Sequence, residues 1–254
     1  MKKILALTLV LVMCIFSLVS CTDAKAVLEE ADAALANDPY KMTLKMNFES
    51  DNDELASVFE LMNVEVPVTI DGENMMIDMS MEVMGETFET VITLVDKTIY
   101  YKMDMMGETM KMKSELSNKQ YKEFLEDSGT SMPVKYSDFE EMTLEEKGKK
   151  ITITCDKISD DALDEIKKLL DDAISELDDV DVDVSDISFK IVLEDKKYDS
   201  IELSCTYAME IEDEEIEVEM SFEATYEYDD VEEITKPSGA SKYEEVDFDD
   251  LGMF

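Results

Sequence analysis

Cys155 and Cys205 each close a run of alternating apolar residues: Ile151, Ile153 and Cys155 in one case, Ile201, Leu203 and Cys205 in the other. A thiol so placed points to the apolar face of a strand, where it packs as a small hydrophobe or pairs with a second thiol. On sequence both readings stay open: two separate buried thiols, or a disulfide between neighbouring strands. A metal site built on the two cysteines is not expected, because the chain has no histidine to complete it.

Carboxylates are the other abundant reactive groups, 64 against 23 basic residues that are all lysine. With so many acids, a carboxylate pair has almost no specificity as a hydrolase signal. The run Asp178-Asp179-Val180-Asp181-Val182-Asp183-Val184-Ser185-Asp186 has the composition of a calcium loop. An EF-hand loop begun at Asp179 places Asp181 and Asp183 correctly, but Val184 occupies the glycine position and Lys190 the twelfth. The run therefore reads as a solvated linker, and neither a metal nor a cofactor is expected.

The chain has no His, Arg or Trp. The first absence removes the commonest general base, the second the bidentate clamp for phosphate and carboxylate. No Gly-rich phosphate loop, nucleophile elbow or metalloprotease motif is present. The expectation is a protein without catalytic activity. A formal net charge of −41 disfavours nucleic acid and anionic lipid surfaces as partners.

Lys2 and Lys3 precede an apolar run from Ile4 to Phe16, followed by Ser17-Leu18-Val19-Ser20-Cys21. This is the order of a secretory signal: charged region, apolar region, small-residue cleavage site. The tetrad Leu18-Val19-Ser20-Cys21 resembles the lipobox of bacterial lipoproteins. That resemblance implies removal of residues 1–20, a diacylglyceryl group on Cys21, and a position on the extracytoplasmic face of the cell membrane. An ordinary secretory signal and an uncleaved anchor are the other readings of the run. Loss of Lys2 and Lys3 takes the charge from −41 to −43.

The remaining chain must supply elements that position any site. Ala24, Val27, Leu28, Ala31 and Leu35 predict a helix over 24–35. From Met42 the period becomes two, and strands follow at 42–48 and 64–70, with a short helix at 53–62 between them. Pro67 suits an edge or the start of a strand. Met75 to Val83, Phe88 to Leu94 and Ile99 to Met105 form hairpins, and the turn Met84-Gly85-Glu86-Thr87 recurs at Met106-Gly107-Glu108-Thr109. Helices are expected at 117–127, with Ser117 as N-cap, and at 160–177. A hairpin at 139–155 and strands at 187–193, 198–209 and 216–226 complete the pattern. The fold class is α+β: one large curved antiparallel sheet, an open half-barrel, covered by a few helices. Residues 21–236 form a single domain, and 237–254 an acidic, turn-rich tail.

At this level the chain resembles the LolA-like lipoprotein group of lipoprotein carriers, mycobacterial lipid-binding lipoproteins and uncharacterised Gram-positive lipoproteins. The matching features are the lipobox at 18–21, the helix leading into Met42-Thr43-Leu44-Lys45-Met46, and the Met-rich hairpins at 75–112. Leu193-Glu194-Asp195-Lys196-Lys197-Tyr198 and Ile234-Thr235-Lys236-Pro237-Ser238-Gly239-Ala240 match as well. The resemblance implies an apolar cavity for acyl chains between a curved sheet and its helices. Without the arginine and tryptophan of some carriers, and with an anchor of its own, this chain fits a tethered binder better than a shuttle.

Methionine is abundant, 20 in all, and flexible thioether side chains suit adaptable apolar surfaces. Met75, Ile77, Met79, Met81, Met103, Met105, Met110, Met112, Met220 and Phe222 are the candidate ligand-facing residues; the alternative is that they fill the core. Two functions follow: a membrane-anchored binder of a lipid or other hydrophobic ligand, or a surface interaction lipoprotein whose acidic face meets a basic partner or cations.

Overall fold

A computed structural model describes residues 24–50, 52, 64–83, 86–105, 107–127, 139–161, 163–164, 182–211 and 214–248. The signal segment with Cys21, the helix expected at 53–62 and most of that expected at 160–177 lie outside them.

Helix α1 (Ala24–Asn37) is rich in alanine, the best helix former, and Pro39 stops it two residues on. Val27, Leu28 and Ala31, at helical spacing, are buried. Six strands follow: β1 (Tyr40–Ser50), β2 (Val64–Asp71), β3 (Asn74–Val83), β4 (Glu86–Val95), β5 (Thr98–Met105) and β6 (Glu108–Glu115). Helix α2 (Asn118–Asp127) then begins with a capping box. The Gln120 N–H donates to Ser117 Oγ at 3.3 Å, and the Ser117 N–H donates to Gln120 Oε1 at 3.1 Å. The second set is β7 (Met142–Lys147), β8 (Lys150–Cys155), β9 (Val182–Glu194), β10 (Lys197–Ile211) and β11 (Glu214–Glu227). A 3-10 turn at Ala240–Lys242 leads into the two-residue β12 (Glu244–Glu245).

All twelve strands form one sheet, ordered β12-β6-β5-β4-β3-β2-β1-β11-β10-β9-β8-β7. It consists of two antiparallel meanders joined side by side where β1 pairs with β11. The sheet is not closed, so the expected antiparallel α+β half-barrel is what forms. Its apolar residues run across the strands in rows. Met46, Phe222, Leu203, Phe189, Cys155 and Met142 stand in direct register on six consecutive strands. Side chains alternate along each strand, so one face collects them all.

Helix α1 covers the half of this face formed by the second meander, packing on β10 and β7. Three polar contacts fix it there. Tyr198 donates to Asp32 at 2.6 Å, Lys196 pairs with Glu30 at 2.8 Å, and Lys197 pairs with Asp38 at 2.6 Å. Helix α2 sits at the end of the face near the β2–β3 turn, where Tyr121 donates to the Glu73 carbonyl at 3.0 Å.

Three sequence expectations change. Pro67 lies on an interior strand and not on an edge: β1 pairs with it at Thr43. On its other side the β2–β3 ladder begins only at Val68, so the missing proline N–H falls where pairing stops. The acidic run is only partly a linker, since Val182 to Asp186 belong to β9. Asp186 takes φ 51 beside the irregularity in the β9–β10 register. Residues 237–248 are not separate from the sheet: Tyr243 is buried edge-on against Tyr100 at 5.5 Å, and β12 pairs in parallel with β6.

Candidate functional site

The candidate residues share one face but not one environment. Met75, opposite Leu94 and Ile70, is 1% exposed. Two and four residues further along β3, Ile77 and Met79 are partly buried against the same core. Met81 continues the series in register with Phe88; its side chain lies outside what is described. On the neighbouring hairpin Met112 is partly buried opposite Tyr101, and Met103 partly buried opposite Met110. Met105 and Met110 are 38% and 46% exposed, and Val64 on β2 is 39% exposed.

One face of β3 to β6 thus passes from sealed to open along the strands. At the α2 end Met75, Leu94 and Ile99 are fully buried; at the end of β5 and the start of β6 the thioethers of Met105 and Met110 meet solvent. The pattern follows from cover, because α1 packs on the other meander. Gly107, at φ 82, makes the tight return between Met105 and Glu108 that keeps both methionine runs on this face.

Met220 and Phe222 do not join that open end. They sit on β11, separated from β3 by β1 and β2. Phe222 packs against the main core, and Met220 against a second cluster of Val184, Cys205, Tyr207, Ile216 and Val218. The disulfide is also corrected. Cys155 and Cys205 are both free and buried. Strand β9 lies between their strands. Two strand spacings amount to about 9–10 Å, beyond the roughly 7 Å that a disulfide can bridge. Instead the Cys155 thiol donates to the Lys157 carbonyl at 2.8 Å, and burial raises the Cys205 thiol pKa.

Two concavities among the described residues have mixed polar and apolar linings. One, of about 680 Å³, is lined by Lys41, Lys197, Tyr198, Tyr226, Tyr228 and six carboxylates, among them Glu194 and Glu227. Behind it the rings of Tyr40 and Tyr226 lie 5.9 Å apart, and those of Tyr198 and Tyr226 5.6 Å apart. Burial pushes Tyr228 up to about 12. Lys197 already occupies the Tyr228 ring face, 4.6 Å from its centroid. The other, of about 430 Å³, runs over the outer face past Asn47, Ser188, Ser204 and Ser221, with the Lys190–Glu202 ion pair at 2.8 Å. The tyrosine group brings together residues from the start of β1, β10 and the β11 end. Their spacing along the chain gave no sign of it.

A family model described as "Family of unknown function (DUF6612)" matches residues 24–243. The chain belongs to the DUF6612 family. The match takes in every strand from β1 to β11 and ends at Tyr243, the residue that closes on Tyr100. No curated protein matches this DUF6612 chain. Among solved structures, the crystal structure of ywiB protein from Bacillus subtilis is similar over 74% of this chain and 91% of that one. Its identity is 8% and its TM-score 0.17, a likeness that bears on neither fold nor function.

Proposed function

We propose that this DUF6612 chain is a noncatalytic lipoprotein, anchored through Cys21 on the extracytoplasmic face of the membrane, that holds a lipid or other hydrophobic ligand. The ligand lies against the methionine-bearing end of β3 to β6. The observation that carries the reading is the partial exposure of Met105, Met110 and Val64 on a face whose other end is sealed. Apolar side chains left open in a group mark a binding surface more often than scattered single ones do. Methionine suits ligands of variable shape, being unbranched and polarisable.

The lipobox tetrad supports the anchor, and the LolA-like resemblance supports an acyl chain as the ligand. Two or more acyl groups on Cys21, at about 0.8 kcal/mol per buried CH2, hold a chain of this charge at a surface that would otherwise repel it.

A second reading is favoured by the sealed core around Met75, Leu94 and Ile99 and by the carboxylates that line the larger concavity. In it the core is filled and the acidic outer face meets a basic partner. Native mass spectrometry of the full chain, expressed in a lipoprotein-processing bacterium and released from detergent, separates the two. A reproducible co-purified hydrophobic molecule supports the ligand reading. A chain that arrives empty and takes up no added fatty acid contradicts it. For the anchor, a Cys21→Ala variant is expected to leave the membrane fraction.

A further inference from the structure

We infer that the β5–β6 hairpin carries a thioether site for a soft monovalent cation of the Cu(I) class. The sequence Met103-Asp104-Met105 leads into the turn, and Met110-Lys111-Met112 leads out. The period of two puts all four methionines on one face. Met103 and Met110 are directly opposed, and Met105 and Met112 are their diagonal neighbours across the hairpin. Directly opposed side chains on a sheet have Cβ atoms about 4.5–5.5 Å apart and diagonal ones about 7–8 Å. Three rotatable bonds let methionine sulfurs converge over such spans.

The donors decide which ion is taken. Thioether sulfur is soft and neutral, so it selects Cu(I) and offers little to Ca2+ or Mg2+, which demand oxygen. Met105 and Met110 are exposed, at 38% and 46%, so an ion reaches them without unfolding the sheet. Glu108, opposed to Met105, adds a carboxylate beside the sulfurs, and the chain's charge of −41 concentrates cations near its surface. Binding forms dative bonds from sulfur lone pairs to the ion, with no electron or proton transferred. The inference goes beyond hydrophobic-ligand binding and stands apart from it: a chain that holds no lipid would still bind the ion here.

Silver(I) is the redox-inert probe. The full-length chain, labelled with 13C at the methionine methyls and held in detergent, is titrated with silver nitrate and followed by NMR. The methyl resonances of Met103, Met105 and Met110 are expected to shift together and saturate at a single equivalent, while that of buried Met75 stays in place. Calcium is expected to move none of them. The volume-conserving variant Met103→Leu/Met110→Leu is expected to lose that saturable phase and keep its other methyl resonances, which reports that it is folded. Resonances of the hairpin methionines that do not respond while the cysteines take the silver overturn the inference. So does a folded double variant that still shows the single-equivalent shift at Met105.

Discussion

The Tyr198 hydroxyl donates to Asp32 at 2.6 Å, tying α1 to β10 across 166 positions of sequence. The bond holds α1 against the sheet. Tyr198 is buried and Asp32 half-buried. The Tyr198→Phe variant is expected to lose about 1–2 kcal/mol of stability, below the upper range for a bond to a charged group because Asp32 stays partly hydrated. Urea unfolding measures it; an unchanged midpoint would mean that this bond adds nothing to the hold of the apolar face and the two lysine pairs.

Alkaline pH acts on the tyrosines. Burial pushes Tyr207 and Tyr228 up to about 12, with Cys205 adding to the shift at Tyr207 and Tyr40 to that at Tyr228. A free phenol ionises near 10. Because the folded state keeps these protons longer than the unfolded state, the stability they contribute is complete below about pH 10 and is lost as pH rises toward about 12. Phenolate absorbance should therefore rise in two steps, the later one coinciding with loss of the sheet signal in circular dichroism. The Tyr207→Phe variant should show a shallower decline. Complete titration near 10 with the fold intact would count against this burial.

The thiols give a simple check on the sheet order. Cys155 and Cys205 are buried on strands separated by β9, so alkylation in native buffer should leave both unmodified, and denaturant should release both. Their native mass should not change on reduction. A gain of two hydrogens under reductant would restore the disulfide and contradict the strand order.

Much of the fold was legible because period two survives in each strand. Met75, Ile77 and Met79 announced their common face, and Ser117 announced the start of α2. The pairing of β1 with β11, which sets Met46 against Phe222, was not legible. It joins segments far apart in the chain, and no local pattern records which strand closes on which. The start of β9 was hidden for another reason: Val182 and Val184 alternate as a strand should, but the aspartates between them carry the composition of a linker. Periodicity also gives a face without its cover. Met75 and Met105 look alike in sequence, yet one is 1% and the other 38% exposed.

Photolabelling detects a hydrophobic ligand on the open end of the β3–β6 face. A long-chain fatty acid bearing a diazirine is incubated with the full chain in detergent, irradiated, and its attachment sites mapped by mass spectrometry. The prediction is attachment at Met103, Met105 and Met110, suppressed by excess unlabelled fatty acid and lost in the Met105→Glu/Met110→Glu variant. Labelling spread over the outer face, or labelling that competitor does not suppress, would contradict it.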